Sequence, residues 1–300
     1  MQGFLPHAAL ITAMIFWGST FVALRVALTA LSPEQTMAGR MLVACLAFLP
    51  LWPRIVRALA ANGHWLGLFL LGLCEPCLYF LCETHALQLT TASQAGMITA
   101  LLPLLVALTA FVFLHERITK RMCLGFVLAV SGVAWLTLGA ESGEKALNPL
   151  LGNILECLAM CCAAAYTVLT RHLSRVYDAM SITAVQSVVG MMFFCLLVAV
   201  VPQEADRLGL GRAFPSWLPW ACVVYLGGIV TFAGYGLYNF GVKRLSAGQA
   251  AAYVNLIPVF ALLCGVLLLD ESLLPGQYGG CALILTGVLL SQGHMSTKTR

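Results

Sequence analysis

The strongest constraint in this sequence is a run of about 20 apolar residues that recurs ten times. The runs cover residues 7–30, 36–53, 65–88, 93–114, 121–139, 150–172, 181–201, 217–241, 247–269 and 275–292. A bilayer's hydrocarbon core takes about 20 helical residues to cross, so each run predicts a transmembrane helix. A membrane β-barrel would instead show short alternating segments. Only 9% of the 300 residues are charged, against roughly a quarter in soluble domains. The expected fold class is therefore an all-α integral membrane protein. No Lys or Arg precedes the first run, and that run is too long for the apolar core of a removable signal peptide.

The placement of basic residues predicts which way the chain sits. With the N-terminus in the cytoplasm, eleven fall on the cytoplasmic side: Arg54, Arg57, Arg117, Lys120, Arg121, Arg171, Arg175, Lys243, Arg244, Lys298 and Arg300. Three fall outside: Lys145, Arg207 and Arg212. This bias is the one the positive-inside rule expects. It predicts a multi-pass protein of the plasma (inner) membrane with both termini cytoplasmic.

The chain also repeats itself. "TASQAGMITALLPLLVALTAFVFLHE" (91–116) aligns with "SAGQAAAYVNLIPVFALLCGVLLLDE" (246–271). A constant offset of 155 pairs Gln94 with Gln249, Pro103 with Pro258 and Glu116 with Glu271. The same offset pairs Gly125 with Gly280, Gly132 with Gly287 and Gly72 with Gly227. "FWGSTFVALR" (16–25) aligns more loosely with "CAAAYTVLTR" (162–171), at an offset of 146. Each half, 7–140 and 150–292, holds five runs, an odd number, so the second half must enter the membrane inverted. Inverted repeats are a transporter signature, since one pattern then builds two oppositely facing gates.

These segments resemble the EamA family of the drug/metabolite transporter superfamily. The resemblance rests on "FWGSTFVALR", the A-x-x-x-x-x-L-x-P pattern of the fourth and ninth runs, and the "HE" and "DE" that end them. It implies ten transmembrane helices as two inverted five-helix repeats, and export of a small metabolite, amino acid, amine or drug-like compound. It also implies a central cavity lined mainly by spans one, three, four, six, eight and nine. Ala163 stands where the family often has Trp.

Five ionisable residues fall within the runs: Arg25, Arg40, Glu75, Glu83 and Glu156. Such residues are costly in a bilayer and mark functional sites by default. The two arginines are expected to pair with Glu83 or Glu34. Glu75 is the deepest acid, with no base obviously level with it, which makes it a candidate proton-coupling group or ligand for a substrate amine. Glu83 is the second candidate. Eight residues apart on a regular helix, the two would lie about 80° and about 12 Å from each other. His85 is expected to be interfacial. Glu156 is left open between site and packing.

Pro76, Pro103 and Pro258 each remove a helical hydrogen bond, and paired interruptions in the two halves point to a transporter's binding site. Gly227, Gly234 and Gly241 form a small-residue stripe suited to close helix packing. The candidate substrate-binding set is Glu75, Tyr79, Glu83, Trp17, Thr99, Tyr166, Tyr238, Asn239 and Asn255. Ser19, Thr20, Gln94, Tyr235, Gln249 and Tyr253 are further polar or aromatic candidates.

No phosphate-binding glycine loop, hydrolase triad or zinc motif is present, and Cys74-x-x-Cys77 is lone among twelve cysteines. No cofactor, metal or nucleic acid is expected, and the partners are a small-molecule substrate and the lipid bilayer, with a homodimer left open. The expected function is secondary active transport by alternating access, with proton coupling as an option through Glu75 or Glu83. An uncoupled uniporter or exchanger is the nearest alternative. A membrane-embedded enzyme or a sensor is the alternative from another class.

Overall fold

The computed structural model describes residues 4–114, 119–139, 146–202, 214–242, 244 and 253–292. Within these residues the fold is helical throughout, with no extended strand. Eight helices are long and apolar enough to cross a membrane: Phe4–Ala27 (α1), Pro33–Asn62 (α2), Trp65–Leu89 (α3), Ala92–Thr109 (α4), Lys120–Leu138 (α5), Pro149–Leu173 (α6), Ala179–Val200 (α7) and Leu218–Gly241 (α8). Two shorter apolar helices follow, Ile257–Leu269 (α9) and Pro275–Leu290 (α10). Glu116 and Gln249 lie outside the described residues.

Helix starts follow from local side-chain chemistry. Ser32 and Gln35 form a reciprocal capping box at the head of α2. Thr91, Thr119, Asn148 and Asp178 each accept a hydrogen bond from the backbone N–H three residues on. Such caps satisfy donors that a helix N-terminus leaves without intrahelical partners. Large apolar residues such as Leu46, Phe69, Val127, Leu196 and Leu267 remain exposed on the outside of the bundle, as a lipid-facing surface requires.

The interruptions lie where the prolines predicted. In α4, a tight turn at Thr99–Leu101 precedes the segment Leu102–Leu114 that carries Pro103. Pro258 occupies the first turn of α9, a position where its missing N–H costs nothing. In α3 the helix breaks around Pro76. Glu75 is extended (φ −145°, ψ 118°), and its carbonyl accepts a hydrogen bond from Gln186 Nε2 at 2.7 Å. The wide turns of α8 span Tyr225–Ala233.

Helix α1 packs against α8 and α9, and α6 packs against α3 and α4. Helices α2 and α7 pair with each other, as do α4 with α9 and α5 with α10. The α5–α10 seam is built on glycine. A Cβ on Gly132 would stand 2.7 Å from the Ile284 nitrogen and 2.8 Å from the Gly280 carbonyl oxygen. One on Gly287 would stand 2.5 Å from the Gly125 carbonyl oxygen. The stripe on α8 is also used for close approach, Gly227 against the α2 backbone at Arg40 and Gly241 against Leu10. Gly236, in contrast, faces open space.

Gly132→Val is therefore expected to cost about 1–3 kcal/mol through overpacking, read as a lower thermal midpoint of the purified protein in detergent. Gly236→Ala is expected to leave that midpoint unchanged. Equal effects of the two substitutions would contradict the seam.

Candidate functional site

Most of the polar side chains in the bundle divide between a closed end and an accessible middle. At the closed end Glu271, which follows α9, reaches the N-terminus of α4. Its Oε1 accepts from the Ala92 N–H at 2.9 Å and from Arg25 Nη1 at 3.0 Å. Its Oε2 accepts from the Ser93 N–H at 2.8 Å and from Ser93 Oγ at 2.6 Å. A carboxylate at a helix N-terminus meets otherwise unpaired N–H donors and the positive end of the helix dipole. Both members of the ion pair are essentially inaccessible, at 1% and 2% side-chain exposure. Arg25 thus pairs with Glu271, not with Glu83 or Glu34 as the sequence suggested. Glu34 lies 3.6 Å from the partly exposed His85 instead.

A second buried network backs this end. Asn153 donates to Gln94 Oε1 and to Thr137 Oγ1, both at 2.9 Å, and accepts from Thr90 Oγ1 at 2.7 Å. Gln94 is buried and belongs to this network, so it is a tie between α4, α5 and α6 and not a cavity-lining group. Thr20 is likewise buried and bonded to its own helix backbone. Ser19 is bonded to Tyr225 at 2.6 Å.

The middle of the bundle holds the acids. Tyr235 donates to Glu75 Oε1 at 3.3 Å, and Tyr166 lies within electrostatic reach of Glu75. Trp17 packs against Tyr235 and Tyr238 with ring centroids 5.3 and 5.2 Å away. Glu75, Trp17, Tyr166, Tyr235 and Tyr238 are all half-buried, so this group is accessible where the acids beyond it are not. Because Glu75 is extended, the regular-helix spacing expected between Glu75 and Glu83 does not apply. Tyr79 links the next turn by donating to Glu83 Oε1 at 2.6 Å.

Arg40 stacks 4.1 Å from the centroid of Phe80 and donates from Nε to Thr231 Oγ1 at 3.2 Å. Glu83 and Glu75 both lie within its electrostatic reach. It makes no direct ion pair with Glu83 or Glu34 among the described residues. Glu83 and Glu156 are sealed, at 1% and 0% exposure.

The remaining candidates sit elsewhere. Thr99 and Asn255 are half-buried at the interruptions of the fourth and ninth segments. Asn239 lines a cavity of about 220 Å³ with Leu51, Arg54, Ile55 and Asp178. This lies at the end of the bundle marked by the exposed Arg54–Asp178 pair, 3.4 Å apart. Tyr253 bonds His7 at 2.6 Å. All twelve cysteines are free thiols, Cys74 and Cys77 included. Gln186, Thr231 and Glu271 were not anticipated. The "DE" ending the ninth run is the sequence signal for Glu271.

A bundle of membrane-length apolar helices with a polar, half-buried centre fits a membrane transport protein by class. The chain belongs to the EamA-like transporter family, whose model matches residues 5–138 and 150–292, so it is a transporter and not an enzyme. It is 28% identical to the uncharacterized transporter YetK of Bacillus subtilis (strain 168), over 71% of this chain and 64% of that protein. It is 25% identical to the uncharacterized transporter YcxC of the same organism, over 98% and 94%. It is 26% identical to a "Probable terminal-alkyne amino-acid exporter" of Streptantibioticus cattleyicolor, over 94% and 91%. A solved crystal structure of a protein 22% identical in sequence superposes with a TM-score of 0.57, covering 95% of this chain and 96% of that one; this likeness speaks to the fold.

Replacing Arg25 with Met would strand Glu271 with three neutral donors and no cation. Breaking a buried pair in this way is expected to cost about 3–5 kcal/mol, measured as a lowered thermal midpoint in detergent. A midpoint equal to wild type would show that the helix N-terminus alone holds the carboxylate.

Proposed function

We propose that this protein is a secondary active transporter that exports a small metabolite bearing an amine, such as an amino acid, by alternating access of two inverted five-helix halves. The observation that carries the reading is a half-accessible carboxylate, Glu75, at a broken helix and among the aromatic rings of Trp17, Tyr166, Tyr235 and Tyr238. A carboxylate ringed by aromatic faces suits an ammonium group, through charge and through cation–π attraction. Similarity to a relative named as an amino-acid exporter supports the same substrate class.

The inverted-repeat reading has support from packing. Exchanging each helix of residues 7–140 for its counterpart in 150–292 turns the α1–α9 contact into α6–α4, and the α3–α6 contact into α8–α1. The glycine contacts exchange in the same way, Gly132 with Gly280 becoming Gly287 with Gly125. The two halves are nevertheless in different environments. Residues 20–27 of α1 are buried, whereas of the counterparts 166–173 of α6 all but Leu173 are half-buried or exposed. A shared scaffold with unequal closure is what one state of an alternating-access cycle requires.

In this reading ten helices cross the inner membrane and both termini are cytoplasmic. The Arg25–Glu271 end then faces outward and is shut, and the end at Arg54 and Asp178 faces the cytoplasm. Substrate contacts are assigned to Glu75, Tyr79, Trp17, Thr99, Tyr166, Tyr238, Asn239 and Asn255. Proton coupling is assigned to the intramembrane acids, Glu75 or Glu83.

A thermal-shift screen of the purified protein across amino acids, nucleobases and organic cations tests the substrate class. An amine-bearing compound at 100 times its dissociation constant should stabilise the wild type by about 2.7 kcal/mol, and Glu75→Gln should lose that stabilisation. Stabilisation by anionic or uncharged compounds only, or an undiminished response in Glu75→Gln, would overturn the assignment.

A further inference from the structure

We propose that Glu83 and Glu156 form a dry two-carboxyl proton site, set apart from the accessible Glu75, that holds a shared proton in the state seen here. The proposal rests on the proton-coupled reading above and moves the proton away from the residue that meets the substrate.

Glu83 lies on α3 and Glu156 on α6, two helices packed directly against each other. The two carboxyls are within electrostatic reach of one another. Both are sealed from solvent. Of their four oxygens, only Glu83 Oε1 has a hydrogen-bond partner, the Tyr79 hydroxyl. Glu83 Oε2 and both oxygens of Glu156 have none among the described residues. The contrast with Glu271 is direct: that acid is equally buried, yet three neutral donors and a guanidinium surround it.

The surroundings supply little compensating charge. From α3, the ionisable groups facing Glu156 are Tyr79, Cys82 and Glu83. Cys157 is its neighbour on α6. The facing segment of α4, Leu102–Leu114, carries no ionisable residue, and α5 bears its charges, Lys120 and Arg121, in the first turn. Around Glu83 stand Tyr79, Arg40 and Glu75. One guanidinium therefore serves two acids on α3, and no cation pairs with Glu156 among the described residues.

Desolvating an unpaired carboxylate is expensive, and two neighbouring carboxyls in a poorly solvated site resolve the conflict by sharing a proton. Glu156, without a donor to either oxygen, is the member that the environment holds neutral. Glu83, with the Tyr79 hydroxyl as donor and Arg40 in reach, is the member able to carry charge. A proton on such a pair leaves or arrives only when the closed end opens, whereas Glu75 is half-buried in the state described.

Infrared spectroscopy of the full-length protein in lipid vesicles tests this without any substrate. At neutral pH the wild type should show a protonated-carboxyl C=O stretch. That band should be lost in Glu156→Gln, be altered in Glu83→Gln, and persist in Glu75→Gln. Gln matches the shape of a neutral Glu, so Glu156→Gln should keep the wild-type thermal midpoint. A band untouched by either substitution, or lost in Glu75→Gln, would overturn the proposal. So would a wild-type band removed by sodium at constant pH, which would make the pair a metal-cation site. Failure of the amine-binding reading would show in the thermal-shift screen and leave the band unaffected, so the two claims fail separately.

Discussion

The carboxylate of Glu271 is the constraint on which the rest of this architecture depends. It is buried, so it needs full compensation, and it finds that compensation only where the start of α4, the last turn of α1 and the end of α9 meet. A charge placed this way is demanding about geometry. Moving α4 or α1 by a few ångströms would strip the acid of donors in a medium that offers no water in exchange. The contact therefore ties helices from both halves of the chain at one end of the bundle. The opposite end is held by weaker ties, the exposed Arg54–Asp178 pair among them. A solvent-exposed pair of that kind contributes little.

This difference in closure positions the acids. Beyond the anchored end, Glu83 and Glu156 are shut inside the α3–α6 packing, while Glu75 is placed by the break at Pro76 and lies among half-accessible aromatics. The break does more than bend a helix. It turns the backbone at Glu75 into an extended link whose carbonyl is taken up by Gln186, and it brings the carboxyl to Tyr235 on α8. Irregular backbone inside a membrane protein is tolerated where neighbouring side chains or a cavity satisfy it, and here a side chain from α7 does so. One sequence segment thus supplies two acids with different surroundings. Unequal environments of that kind let similar residues take different roles.

Much of the fold was legible in the sequence because lipid imposes length and polarity rules that single residues obey. The apolar runs predicted the helices, and Pro103 and Pro258 predicted the interruptions ahead of them. The glycine matches also found their use, Gly132 and Gly287 in the α5–α10 seam and Gly227 against α2. The site was legible in type but not in pairing. Arg25 is expected from the sequence to pair with Glu83 or Glu34, yet its partner is 246 residues away, at the end of the ninth run. Depth along a helix says nothing about which face meets which neighbour. Gln94 shows the same limit from the other side, since a polar residue in a span reads equally as lining or as a buried tie. Only its contacts with Asn153 separate the two.

The central claim is that solute crosses the membrane by way of Glu75. The most direct measurement is counterflow in proteoliposomes, using a radiolabelled form of the amine-bearing compound that most stabilises the purified protein. Wild-type vesicles preloaded with the unlabelled compound should take up the labelled one transiently above equilibrium, and vesicles bearing Glu75→Gln should not. Binding without any counterflow would describe a sensor, and undiminished counterflow by Glu75→Gln would place the solute's path elsewhere; either result contradicts the account.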